Sequence, residues 1–466
     1  MKEYGMILIG TGAGMNVVDT ALAKGMTVAI VEEGPIGGTC LNRGCIPSKI
    51  LIHCADAIRD AEAGADIGVY LRLDRVDFPL IKKRMWDLVL GDRHSMEEAV
   101  RQTKETTLYP AIGSFISDYT MRVGEETIRA PKVVIASGAR AQIPNIPGLD
   151  SVKYHTYRTI FDVEEQPKSI TILGGGYIGC EFAHFFSSIG TRVVLVGHNK
   201  VLLPHEEPET SEIVKKRMSK LLEVHTDTQT TKVEGRQGSV AVTINDPAQG
   251  EKIIESEQLL VATGVRSNAD WLMPEKTGVK TDDKGWIMAN QYLETSKPNI
   301  WALGDALGRH MYRHTANYEA SVVRNNMFGE QKIMVDLHAV PHAVFTYPQV
   351  GAVGMTESEA VQGRKVMVGF SKFTDTAMGY AYNDREAFVK VIVEYPSRRI
   401  LGGTVVGPQA SILVQEITNM MSSDTQTYAP MVRAQVIHPT LSEAVVNAFG
   451  RLRPVNFEPP EHHHHA

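Results

Sequence analysis

Twice in this chain a short apolar run ends in a glycine-rich turn, enters a helical stretch and returns as a second apolar run. The first unit runs Gly5-Met6-Ile7-Leu8-Ile9, Gly10-Thr11-Gly12-Ala13-Gly14, a helical stretch to Lys24-Gly25, then Thr27-Val28-Ala29-Ile30-Val31-Glu32. The second runs Ser169-Ile170-Thr171-Ile172-Leu173, a turn carrying Gly174, Gly176 and Gly179, then Arg192-Val193-Val194-Leu195-Val196. Each is the βαβ pattern of a dinucleotide-binding half, in which glycines let the backbone approach a pyrophosphate at a helix N-terminus. Glu32 ends its strand where a carboxylate reaches a ribose hydroxyl. The third glycine of the first pattern is replaced by Met15. That glycine serves close helix–strand packing, so Met15 requires wider spacing or a shifted helix.

Between the units lies Gly37-Gly38-Thr39-Cys40-Leu41-Asn42-Arg43-Gly44-Cys45-Ile46-Pro47-Ser48-Lys49. In an unbroken helix this cysteine spacing gives about 7.5 Å of rise and roughly 140° of rotation. A disulfide wants Cα atoms within about 7 Å and converging Cβ vectors. A bridge would require Gly44 to open the helix, or the helix to begin later. From the residues alone the pair can be two independent thiols, a zinc site completed by His53 and Cys54, or a static disulfide. Structural zinc favours tighter cysteine pairs, and no metal is expected.

At 466 residues the chain suggests about three domains, and 43% hydrophobic residues suit a soluble globular protein. A net charge of −6 and a pI near 6.3 give no electrostatic case for nucleic acid or a membrane surface. No apolar run approaches the ~20 residues of a membrane span. The four cysteines form no disulfide scaffold and fit a reducing compartment. No leader pattern precedes the first strand, so a cytoplasmic location is expected. A tail runs from 456 to 466, and its end, Glu461-His462-His463-His464-His465-Ala466, looks like a tag remnant.

With its flanking Gly-Gly-Thr and Pro-Ser-Lys, the cysteine segment resembles the redox site of the pyridine nucleotide-disulfide oxidoreductases. Cys-Ile-Pro-Ser-Lys is most like the dihydrolipoamide dehydrogenase branch, whereas Met15 is more like mycothione reductase. The resemblance spans residues from about 4 to 450. It implies an α/β fold with two Rossmann-like dinucleotide-binding domains, for FAD and NAD(P), plus an α+β C-terminal dimerisation domain. The expected division is 1–143 with 266–336 for FAD, 144–265 for NAD(P), and 337–455 for the interface. It also implies a redox bridge between Cys40 and Cys45, with Cys45 against the flavin and Cys40, the more exposed, attacking substrate. Lys49 is expected to pair with Glu181 where hydride arrives, and Tyr177 to cover the flavin until the nicotinamide displaces it.

The FAD contacts implied are Gly10, Gly12, Gly14, Glu32, Gly38, Thr39, Lys49, Ser137, Gly138, Gly304, Asp305, His314 and Ala316. Those for the nicotinamide nucleotide are Gly174, Gly176, Tyr177, Gly179, Glu181, Gly197, His198 and Gly264. After the second unit, Gly197, His198, Asn199 and Lys200 offer neither the acid that marks NAD nor the arginine that marks NADP, so either is admitted. Residues 51–105 read as mostly helical, and 106–140 as a small antiparallel sheet.

Near the C-terminus stands Ile437-His438-Pro439-Thr440-Leu441-Ser442-Glu443. Thr440 and Glu443 have capping-box spacing, which by itself is a structural role for Glu443. The resemblance instead makes His438 the acid/base and Glu443 its orienting carboxylate, acting on the other subunit of a homodimer. Val436 stands where many relatives carry a further histidine. The favoured reaction is oxidation of dihydrolipoamide, free or on a lipoyl domain, by NAD. The alternative is NADPH-dependent reduction of a small disulfide of the mycothione or glutamylcysteine type. A non-catalytic flavoprotein scaffold is disfavoured by intact Cys40, Cys45 and His438.

Overall fold

Met6–Ile9 is buried along its whole length and sits at the centre of a parallel sheet. Its neighbours are Val28–Val31 on one side and Lys132–Ile135 on the other, with Ile7 level with Ala29 and Val133. Thr106–Tyr109 and Ile300–Ala302 complete five strands, all parallel. Strands covered on both faces need no polar alternation, which is why this run is continuously apolar. The structure is a computed structural model that describes residues 1–458; positions 459–466 of the suspected tag lie outside the described residues.

The expectation of a small antiparallel sheet over 106–140 is corrected in part. Only Gly113–Ser117, Thr120–Val123 and Glu126–Arg129 form an antiparallel meander. Thr106–Tyr109 and Lys132–Ile135 belong to the central parallel sheet instead. The long helix Phe78–Gln102 is the crossover that delivers Thr106–Tyr109 to that sheet edge.

The second unit builds its own parallel sheet, in the order Glu223–His225, Arg192–Val196, Ser169–Leu173, Gln258–Val261. A three-stranded antiparallel layer, Gln229–Arg236, Ser239–Asp246 and Gly250–Ser256, flanks it. Ala139–Ala141 pairs with Val265–Ser267, so the chain leaves and re-enters the first unit side by side. Residue 300 onward then adds its strand to the first sheet. The C-terminal part is a six-stranded sheet ordered Pro341–Val344, Val350–Gly354, Ile400–Val406, Phe388–Glu394, Val366–Lys372, Arg453–Pro454. Ala410–Met421 and Ser442–Gly450 bury apolar faces against it. Among the described residues no helix is long and apolar enough to cross a membrane.

Met15 is accommodated by a change of helix type. Ala13–Val17 is a 3-10 segment, and the α-helix begins only at Val18. The close approach falls one residue earlier, where a Cβ on Gly14 would lie 2.7 Å from Leu8 Cδ1 and 2.8 Å from Ala136 Cβ. Met15 is left partly buried at the edge of the core.

A buried cation ties the second unit to the C-terminal sheet. Lys390, with 4% of its side chain exposed, meets Glu207 at 3.0 Å, Glu209 at 3.0 Å and Glu357 at 2.7 Å. Glu207 is itself buried. Replacing Lys390 by Met keeps the volume but strands a buried carboxylate, which costs about 3–5 kcal/mol. Denaturant unfolding of Lys390→Met is expected to show a loss of that size; a midpoint equal to wild type would refute it.

Candidate active site

The C-terminal ends of both parallel sheets open onto one cavity of about 1260 Å³. Both glycine turns line it, together with the cysteine segment. Crevices at this end of such sheets are where dinucleotides bind. Gly10 has φ 93°, and a Cβ there would collide with the Ala136 carbonyl, so the turn closes directly on the neighbouring strand.

Gly44 breaks the helix in the cysteine segment. One helix spans Gly38–Arg43 and the next begins at Cys45, with Gly44 at φ −144° and ψ −119° between them. A Cβ on Gly44 would lie 3.0 Å from the Thr39 carbonyl oxygen and 3.3 Å from Cys40 Cα, so the chain folds back onto Cys40. Both cysteines are free thiols and both line the cavity. The Cys45 thiol donates to Cys40, which brings the Cys40 pKa down to about 7 against the opposing effect of burial. Arg313 and Lys49 favour the Cys40 thiolate further. Cys45 is pushed far up by that same hydrogen bond and by burial. Cys45, the residue expected against the flavin, is exposed to the cavity, and Cys40 is half-buried. Cys45 stands at the start of its helix and faces the open cavity, whereas Cys40 lies under the fold-back.

Asn42, which sequence reasoning passed over, pins this segment. It is buried, and its amide donates to the carbonyls of Pro35, Ile36 and Gly38 at 3.2, 2.9 and 3.0 Å. Arg93 Nε donates to its side-chain oxygen at 2.9 Å. A buried asparagine between the two cysteines was the one available signal, since a buried amide needs partners.

Lys49 and Glu181 meet at 2.7 Å. Glu181 also accepts the Phe345 N–H at 3.0 Å, and the Lys49 ammonium lies 4.4 Å from the centre of the Phe345 ring. Phe345 comes from the C-terminal part. Three separate stretches of chain thus fix this pair.

The first turn is braced from Glu32. One carboxylate oxygen accepts the Thr11 N–H at 2.9 Å and the Thr11 hydroxyl at 2.7 Å, and the other accepts the Gly34 N–H at 3.0 Å. Gly12, Gly38, Thr39, Ser137, Gly138, Gly304 and Ala316 also line the cavity. Ser137 Oγ is buried with no protein partner. Burial lifts the Asp305 carboxyl to about 6. An orphaned hydroxyl and a buried carboxyl on a wall of close-packed glycines fit a polyhydroxylated dinucleotide.

On the second unit's side, Gly174, Gly176, Tyr177, Glu181, His198 and Gly264 line the cavity. The Tyr177 hydroxyl donates to Glu206 at 2.6 Å.

Six expected site residues lie elsewhere. Gly14 packs on Leu8, and a Cβ on Gly179 would collide with the Gly174 carbonyl, so both serve helix–strand packing. Gly197 is held in the backbone behind the lining, donating to the His225 carbonyl at 2.7 Å. His314 faces away: its Nε2 lies 2.7 Å from the Pro341 carbonyl, and its ring stacks on Tyr312. Tyr312 and Arg313 line the cavity in its place.

His438 and Glu443 pair at 2.9 Å outside the cavity, and 73% of the His438 side chain is exposed. The capping box is only half formed. Glu443 accepts the Thr440 N–H at 3.0 Å, but the Thr440 hydroxyl donates to the Ile437 carbonyl. The His438 hydrogen bond, then the Thr440 N–H, hold the Glu443 carboxyl below its ordinary range.

Residues 4–320 match the pyridine nucleotide-disulphide oxidoreductase family, and 340–449 match the dimerisation domain of the same family. Mycothione reductase of Mycobacterium tuberculosis is 37% identical, covering 97% of this chain and 100% of that protein. Dihydrolipoyl dehydrogenase of Chlamydia pneumoniae is 31% identical, covering 98% of this chain and 99% of that one. Among solved structures, the HOCl-induced flavoprotein disulfide reductase RclA from Escherichia coli superposes with a TM-score of 0.84 at 25% identity, covering 96% of this chain and 99% of that one. The family uses FAD and NAD(P)H. Two glycine turns, a facing cysteine pair and this similarity agree: the chain belongs to the pyridine nucleotide-disulphide oxidoreductases, flavoprotein enzymes of disulfide exchange.

Proposed function

We propose that this protein is an NAD(P)H-dependent flavoprotein reductase of a low-molecular-weight disulfide, acting as a homodimer. The observation that carries the reading is one cavity shared by both glycine turns, the Cys40–Cys45 dithiol and the Lys49–Glu181 pair. Preference for a small disulfide over dihydrolipoamide rests on the 37% identity to mycothione reductase. It rests also on His198 and Asn199 lining the wall where an NAD-selecting acid would stand. The dihydrolipoamide reading stands second, supported by Cys-Ile-Pro-Ser-Lys and the 31% relative. We read 1–143 with 266–336 as the FAD domain, 144–265 as the NAD(P) domain and 337–455 as the interface domain.

Gly10, Gly12, Glu32, Gly38, Thr39, Ser137, Gly138, Gly304, Asp305 and Ala316 would hold FAD. Gly174, Gly176, His198 and Gly264 would hold the nicotinamide nucleotide, and Tyr177 stands where the nicotinamide would displace it. FAD, when bound, supplies the two-electron chemistry that links the nicotinamide to the cysteine pair. Cys40 as thiolate attacks one substrate sulfur, because the thiolate is the nucleophile. The substrate S–S bond breaks, and the leaving thiolate takes a proton from His438 of the partner subunit. The Cys45 sulfur then displaces the second thiolate from Cys40, its proton passing to that leaving thiolate, and the Cys40–Cys45 bridge closes. Two thiols become a disulfide and one disulfide becomes two thiols. The outward-facing His438–Glu443 pair suits delivery to a neighbour's cavity.

The first test is steady-state turnover of the FAD-loaded enzyme with NADPH and NADH against mycothione and lipoamide. NADPH-driven reduction of the small disulfide is expected; NADH-linked dihydrolipoamide turnover alone would move the assignment to the second reading. Cys40→Ser is expected to abolish disulfide turnover, and full activity in that variant would refute the mechanism.

The thiols give a pH prediction. The rate at which the reduced enzyme loses Cys40 to iodoacetamide is expected to rise through a midpoint near 7. In Cys45→Ala the donor is gone, so the midpoint is expected to move upward. Mass spectrometry of the alkylated peptide reads both; equal midpoints would show that Cys45 does not stabilise the Cys40 thiolate.

A further inference from the structure

Tyr177 is the first residue of the helix Tyr177–Ser188, one turn before Glu181. Residues four apart on a helix lie on one face. A nucleotide seated on Gly174 and Gly176 and reaching toward Lys49 and Glu181 therefore runs past the Tyr177 ring. That ring is tied down. Its hydroxyl donates to Glu206 Oε1 at 2.6 Å, and the same oxygen takes His342 Nε2 at 2.7 Å. Glu206 has 1% of its side chain exposed, so water does not compete for it. The His342 ring stacks on Tyr177, centroids 5.7 Å apart, and on Tyr312, 5.5 Å apart. Tyr312 and Tyr177 both line the cavity.

His342 belongs to the strand Pro341–Val344 of the C-terminal sheet. The same strand takes His314 on the Pro341 carbonyl, and the next residue, Phe345, donates to Glu181. Residues 341–345, remote in sequence, thus contact His314, Glu206 and Glu181, with Ala343 among the cavity lining. Burial, then the Glu206 carboxylate, push the Tyr177 phenol far above its ordinary range, so the hydroxyl remains a donor at every working pH.

We propose that Glu206 and His342 are positioning residues that latch Tyr177 in the path of the nicotinamide nucleotide, so that entry of the nucleotide must break the Tyr177–Glu206 hydrogen bond. The proposal rests on the functional reading above, which assigns this side of the cavity to NAD(P)H. It places a determinant of nucleotide affinity in the C-terminal sheet, outside the nucleotide-binding unit itself. Because the latch opposes binding of the nucleotide and touches no sulfur, its effect falls on affinity.

The test uses FAD-loaded enzyme titrated with NADP+ and, separately, NAD+, following flavin fluorescence, alongside NAD(P)H kinetics. Tyr177→Phe removes the hydroxyl and keeps the ring. It is expected to lower Kd and KM for the nucleotide by about tenfold, the size of one hydrogen bond to a charged acceptor. His342→Ala is expected to shift Kd in the same direction. The double variant is expected to go no further than Tyr177→Phe, since residues of one network are not additive. His342→Gln, whose amide can still donate to Glu206, is expected to restore Kd toward wild type and guards against a folding defect in the alanine variant. An unchanged Kd in Tyr177→Phe, or effects of the two substitutions that multiply, would overturn the latch. If wild-type enzyme binds neither nucleotide, the functional reading fails instead, and the two failures are told apart.

Discussion

The helix that begins at Cys45 and the helix that begins at Tyr177 lie side by side, and the site depends on that contact. Leu51 and Ala55 from the first share an apolar cluster with Phe182, Ala183 and Phe186 from the second. Fully burying a large apolar side chain contributes about 1.5–3 kcal/mol. The Lys49–Glu181 ion pair sits at the edge of this seam, with the Lys49 side chain 34% exposed. Pairs that open to water are worth about 0–1 kcal/mol. The apolar seam therefore holds the two helices together. The ion pair contributes little stability and instead fixes a charge at the junction, one turn into each helix.

Gly44 works with this seam. A continuous helix would turn Cys45 away from Cys40; the break lets Cys45 begin a new helix directly over it. Asn42 and Arg93 lock the short helix before the break. The resulting dithiol shares its protons unequally, with Cys40 near 7 and Cys45 the donor. That inequality distinguishes two residues that are chemically identical in the sequence.

The C-terminal sheet does more than present a surface. Lys390 gathers Glu207 and Glu209 from the second unit together with Glu357 from its own part of the chain. Immediately before Glu207 the same stretch carries Glu206, which His342 reaches. Residues 206–209 are thus fastened to the C-terminal sheet at two points, one through Lys390 and the other behind the Tyr177 ring that lines the cavity. Motion of this sheet against the second unit is limited by both.

Local sequence determined much of this protein. The two glycine turns, their flanking strands, the interrupted cysteine helix and the Lys49–Glu181 pairing were legible because each depends on spacing or on a recognised motif. Glycine spacing did not say which glycine faces the cavity. Gly10, Gly12, Gly174 and Gly176 do, while Gly14, Gly179 and Gly197 pack or brace. That outcome depends on how each turn meets its neighbouring strand. The partner of Thr106–Tyr109 depended on a crossover helix, and the direction of His314 on the carbonyl of Pro341. Glu206 and His342 carried no local signal at all. They come from stretches distant in sequence, and only packing of the C-terminal sheet against the second unit brings them behind the lining residue Tyr177, because long-range contacts leave no periodicity in the residues that make them.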